Sequence, residues 1–160
     1  MKNWKSWMLL ALVAALCLSL FGCGAKKTEQ AQEKADKTLE VVEEANDYLD
    51  RVAGMDGYEF FIINGDYDAK SDVYTVDVSY DTDAMRETAY ADTPALRQSQ
   101  YASIVDEFVD GLCKTLTDNS LDGLMNTLLK DQVKDMFAKE ELDTTVVVQF
   151  TDPSGTTTKY

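Results

Sequence analysis

Apolar and polar positions alternate along this chain in two rhythms, one helical and one extended. From Thr38 to Val52, the residues Val41, Val42, Ala45, Tyr48, Leu49 and Val52 return at helical spacing. Glu40, Glu43, Glu44, Asp47 and Asp50 fall between them, which predicts an amphipathic helix stopped by Gly54 and Gly57. Tyr58–Ile63 (YEFFII) reads as a strand. Val73–Tyr80 alternates with period two, placing Tyr74, Val76, Val78 and Tyr80 on one face and Val73, Thr75, Asp77 and Ser79 on the other. The polar segment NGDYDAKSD joins the two runs, and its Asn64-Gly65 dipeptide predicts the turn of an antiparallel hairpin.

Residues 81–93 show little pattern and read as a loop with at most a short helical turn. Thr93-Pro94 then offers an N-cap hydroxyl and a proline at the first helical position. Behind it, Tyr101, Ile104, Val105, Phe108, Leu112 and Leu116 form a second helical stripe, which a break at Asp118-Asn119-Ser120 should end. Leu121, Leu124, Met125, Leu128, Leu129, Val133, Met136 and Phe137 mark a third helical region. The β-branched run Thr144–Thr151, the segment Asp152-Pro153-Ser154-Gly155 and Thr156–Tyr160 complete a second hairpin, with proline and glycine placed as a type I turn wants them.

The predicted order is α-β-β-α-α-β-β. It implies an α+β fold, an antiparallel four-stranded sheet of two hairpins with helices packed on one face. Tyr74, Val76, Val78, Val146, Val148 and Phe150 should then face Ile104, Phe108 and Leu112. About 120 residues follow position 37, enough for one domain with one core.

The N-terminal region has a different character. Residues 1–22 hold Lys2 and Lys5 and no acid, and Met8–Phe21 is an apolar and small stretch of 14 residues. A membrane-crossing helix needs about 20 such residues, so a secretory signal is the better reading. The stretch ends Leu20-Phe21-Gly22-Cys23, which resembles the lipobox of bacterial lipoprotein precursors. Cys17 follows Leu16, where a small residue is wanted, and is the poorer match. The resemblance implies a diacylglyceryl group on the Cys23 thiol, cleavage before that residue, and a cell-membrane location facing the extracytoplasmic side of a bacterium. Two acyl chains suffice for stable anchoring.

Three segments result: residues 1–22 as signal, 23–37 as lipidated cysteine and tether, and 38–160 as the α+β domain. The tether, GAKKTEQAQEKADK after Cys23, lacks large apolar side chains and should be mobile, or helical as an extension of the Thr38–Val52 helix. The domain loosely resembles small domains found behind lipoboxes in Gram-positive envelope proteins, through element order and hydrophobic pattern.

Charge narrows the partners. The chain has 15 basic and 29 acidic residues, net −14, and removal of Lys2 and Lys5 with the signal would make that −16. Nucleic acid, whose binding depends on neutralising phosphates with Lys and Arg, is thereby excluded as an expected partner. Basic partners and cations are attracted.

Chemistry is reached by elimination. Histidine is absent, which removes the commonest general base and metal ligand. Beyond Cys23 the only thiol is Cys113, so neither an internal disulfide nor a cysteine zinc cluster can form. Cys113 reads as a small, partly buried core residue, with a reactive thiol as the alternative. Neither GxGxxG nor GxxxxGK[ST] occurs, and both tryptophans, Trp4 and Trp7, precede Cys23.

Two acidic constellations are candidates for chemistry. Asn64, Asp66, Asp68 and Asp72 fall at positions 1, 3, 5 and 9 of an EF-hand-like loop, but Ala69 stands where glycine is needed and Thr75 where a bidentate glutamate belongs. They are weak metal candidates beside the reading of a solvated turn, and no cofactor is expected. Glu43-Glu44 and Glu140-Glu141 with Asp143 could serve acid–base chemistry only inside a cleft, whereas the pattern puts them on solvent faces.

A binding or protein-interaction module of the envelope, acting without catalysis, therefore heads the functional readings. A spacer lipoprotein without a discrete ligand and a carboxylate-based hydrolase rank behind it. Met85 and Tyr90, apolar groups in the 81–93 loop that no element explains, are the candidate contact surface.

Overall fold

The computed structural model describes residues 25–160, so Cys23 and the signal lie outside the described residues. Helix α1 runs Ala25–Ala53 and takes in residues 25–37 of the stretch read as a tether. It buries Val41, Val42, Ala45, Leu49 and Val52 and exposes the five acids between them. Gly57, with φ +92°, supplies a left-handed residue in the turn that leads to the sheet.

Strand β1 is Phe61–Asp68 and β2 is Val73–Tyr80, paired antiparallel from Phe61↔Tyr80 to Asp68↔Val73. The hairpin is the expected one, but its turn is not. Asn64-Gly65 lies inside β1, and the chain reverses at 69–72. There Asp68 accepts hydrogen bonds from Lys70 N at 2.9 Å and Ser71 Oγ at 2.7 Å, and Asp72 adopts φ +53°. An aspartate bracing its own following backbone is as good a turn-former as Asn-Gly.

Residues 82–92, expected as a loop, form helix α2 (Thr82–Asp92). Asp81 caps it by accepting from Ala84 N at 2.9 Å, and only Met85 and Ala89 face inward. Thr93 closes α2, and its side chain caps nothing in the 3₁₀ turn that Pro94 opens, Pro94–Arg97. A second 3₁₀ turn, Ser99–Tyr101, precedes helix α3 (Ala102–Asp122), so that helix begins later than Pro94 implied. No break occurs at Asp118-Asn119-Ser120. The backbone stays helical into a π-helical segment, Gly123–Asp131, and then helix α4, Gln132–Lys139.

Beyond α4, Glu141 at φ +58° and the Leu142 N to Phe137 O bond at 3.0 Å turn the chain out of the helix. Strand β3 (Thr145–Thr151) then pairs with β2 in parallel, Val73↔Thr145 through Ser79↔Thr151. Strand β4 (Thr157–Lys159) completes the second hairpin. The sheet order is β1-β2-β3-β4, and the sheet is mixed, in place of the expected antiparallel arrangement. Each hairpin is antiparallel within itself. The helical stretch from α2 to α4 acts as a crossover, the connection a parallel pair requires.

The core forms where β2 and β3 meet the helices. Tyr74, Val76, Val78, Tyr80, Val148 and Phe150 are buried as expected, while Val146 is only partly so. Of the expected helical partners Leu112 packs partly buried against the core, and the other two do not. Val105, Val109 and Cys113 are buried on α3, whereas Ile104 is 52% and Phe108 42% exposed. Leu124, Met125 and Leu129 of the π segment and Phe137 of α4 fill the interior, with the Phe137 ring 5.5 Å from that of Tyr74. Tyrosine hydroxyls tie the layers: Tyr48 donates to the Leu128 carbonyl at 2.7 Å, and Tyr80 to the Cys113 carbonyl at 2.9 Å. No described helix is long and apolar enough to cross a membrane.

Candidate functional site

The acidic residues expected as weak metal candidates are dispersed by their strand. Asn64, Asp66 and Asp68 alternate along the solvent face of β1, so they line up where a loop would have curled them around an ion. Asp72 faces the other way. Its Oδ1 accepts from the Tyr67 hydroxyl and the Thr144 hydroxyl, each at 2.9 Å, and its carbonyl accepts from Thr145 N at 3.0 Å. Asp72 is thus a joint between the hairpin turn and the start of β3. Among the described residues no group of three or more Cys, Asp or Glu side chains could hold a metal ion.

The shifted carboxyls are braces as well. Hydrogen bonds from Ser71 and Lys70 hold Asp68 below the usual carboxylate range, and those from Ser154 and Thr156 do the same for Asp152 in the second hairpin turn. Glu43, Glu44, Glu140, Glu141 and Asp143 are all exposed, in the solvent positions their pattern implied. Cys113 is buried, its Sγ 3.7 Å from Met85 Sδ, and burial with Asp110 nearby pushes the thiol upward. A protonated, covered thiol is a poor nucleophile.

The expected contact pair, Met85 and Tyr90, does not form a surface. Met85 is 0% exposed beneath α2 and belongs to the core. Tyr90 is half-buried and already occupied: the Arg97 guanidinium lies 4.6 Å from its ring centroid and is itself held bidentately by Glu87, at 2.6 and 3.2 Å. Both residues stand on a helix where a loop is expected; an inward face of two residues is too narrow to show in the pattern.

An apolar surface does occur, on α3. Ile104 and Phe108 stand one turn apart on the same face, and both are among the large hydrophobic side chains most open to solvent. Val105 and Val109, one position on from each, are buried, and α3 packs against α2. The helix carries more apolar surface than its own domain covers. That excess is legible in the sequence: Val109 and Cys113 beside the Ile104, Val105, Phe108, Leu112 stripe already make an apolar arc too wide for one buried face.

No protein-family model matches the chain, and neither a curated protein nor a solved structure matches it. The functional reading therefore rests on these residues themselves.

Proposed function

We propose that this chain is an extracytoplasmic lipoprotein of the bacterial cell envelope, held to the membrane through Cys23 and presenting its α+β domain as a protein-interaction module. The observation that carries the anchor is the ending Leu20-Phe21-Gly22-Cys23 after a 14-residue apolar run, too short to span. Helix α1, described over Ala25–Ala53, suits a helical stalk between anchor and domain. In this reading the helices cover the sheet face made by Tyr74, Val76, Val78 and Tyr80, and the alternate face stays open.

The uncovered Ile104 and Phe108 support interaction over a purely spacing role, since a spacer has no need of large apolar groups held in solvent. The anchor is tested by Cys23→Ser. Loss of fatty-acid labelling in cells and accumulation of the uncut precursor are expected. Labelling that persists in the serine variant refutes the reading.

A further inference from the structure

We infer that the exposed face of α3 docks a cationic amphipathic helix, a proposal that rests on the interaction-module reading and gives it a surface and a partner chemistry. Ile104, Phe108, Gly111 and Thr115 succeed one another at intervals of four, three and four residues. That is the spacing of a helix–helix seam, and it runs about 16 Å along the helix at 1.5 Å per residue. All four are exposed. Thr115 turns its hydroxyl back to the Gly111 carbonyl at 2.9 Å.

Gly111 is the least expected member. A glycine inside a helix costs about 1 kcal/mol relative to alanine, and here no positive φ explains it. Among the described residues a Cβ at this position would meet nothing within 4 Å. Its own fold gains nothing from the missing side chain. A partner does: the notch between Phe108 and Thr115 lets a large side chain of a second helix sit close to the α3 backbone.

Charge decides which occupant fits. On the solvent flank of the seam Glu107, Asp110 and Asp118 stand against Lys114, and among the described residues these three acids make no ion pair within 4.0 Å. Across the whole of α3 there are five acids and one lysine, net −4. A second copy of this chain would bring the same charge to the same place. An anionic membrane surface selects apolar helices flanked by Lys and Arg, the opposite of this one. A helix with apolar seam residues and Lys or Arg flanks complements both the seam and its rim.

The test uses the full chain in nanodiscs of zwitterionic phosphatidylcholine and two 21-residue helical peptides, with leucine at seam positions and either lysine or glutamate on the flanks. Binding to empty discs is subtracted. The lysine peptide should bind at least tenfold more tightly than the glutamate peptide and weaken as salt is raised. Ile104→Ser combined with Phe108→Ser should lower its affinity at least tenfold. So should Gly111→Gln, a substitution that favours the helix and so keeps the test sound if the serine pair misfolds. Equal binding by Gly111→Gln would reduce the attraction to bulk charge and overturn the proposal. Phe108-dependent dimerisation in sedimentation, or Phe108-dependent binding to anionic vesicles, would overturn it in favour of the other occupants. Fatty-acid labelling of Cys23 is read separately, so failure of the anchor and failure of the docking face are told apart.

Discussion

The Tyr74 hydroxyl donates a hydrogen bond to Asn46 Oδ1 at 2.8 Å across the space that a side chain at Gly65 would occupy. One missing Cβ thus lets a buried residue of β2 reach helix α1 through β1. Glycine in a strand is ordinarily a weakness. Here it is the opening for an inter-layer bond.

Gly65→Ala is therefore expected to destabilise the protein by about 1–3 kcal/mol, as overpacking does, although alanine is intrinsically the better residue in a strand. Tyr74→Phe should remove part of that cost, because the hydroxyl is the nearest clash and the ring carbon behind it remains. Urea unfolding of the two single variants and the double variant measures the coupling. Additive costs would show that Tyr74 and Gly65 do not share the space.

Two phenylalanines should separate cleanly. Phe137 is 1% exposed and packs on Tyr74, so Phe137→Ala is expected to cost about 3–5 kcal/mol. Phe108 is 42% exposed, and its truncation should cost less than about half as much. Similar melting temperatures for the two variants would place Phe108 in the core after all.

Asn64, Asp66 and Asp68 are spread along a strand, so calcium should have no chelating site among them. Millimolar Ca²⁺ and Mg²⁺ at equal ionic strength are expected to raise the melting temperature equally, by screening the acidic chain. A calcium-specific rise that disappears in Asp66→Asn would contradict this.

Alkaline pH should unfold the protein progressively. Burial raises the Tyr67, Tyr74 and Tyr80 phenols and the Cys113 thiol above their ordinary values. The unfolded chain then releases its thiol proton from about pH 8.5 and its phenol protons near pH 10, before the folded chain does. Their contribution to stability is whole below the unfolded values and is lost as pH climbs toward the folded ones. Urea midpoints should fall above about pH 8.5, more gently in Tyr74→Phe. A midpoint constant to pH 11 would exclude the effect.

How much of the fold is legible in the sequence depends on the strength of each local signal. The period-two run at Val73–Tyr80 and the seven-residue run at Thr145–Thr151 mark their strands because alternation and β-branching act residue by residue. Whether those strands run parallel is settled by the path of the connection between them, which no local pattern records. The Asn64-Gly65 dipeptide misleads because glycine serves close approach as well as turns; only Tyr74, nine positions away, distinguishes the two uses. On α3 the stripe taken alone implies a wholly inward face; with Val109 and Cys113 added the apolar arc is wider, and the buried set is rotated toward its Val105, Val109 and Cys113 edge. That rotation is what leaves Ile104 and Phe108 outside.

The parallel pairing of β2 and β3 also sets an order of events for a growing chain. The β1–β2 hairpin closes across four residues, whereas Val73 meets Thr145 only when 72 further positions have been made. Until then the inner edge of β2 is bare backbone beside Tyr74, Val76 and Val78, an open template for another chain. Loop closure over such a span is slow compared with helix formation. If the chain threads through a membrane N-terminus first, its helices can form in passage while the sheet stays unclosed. The sheet then closes only when Thr145–Thr151 emerges, so a holdase that shields β2 during that interval should raise the yield of folded protein.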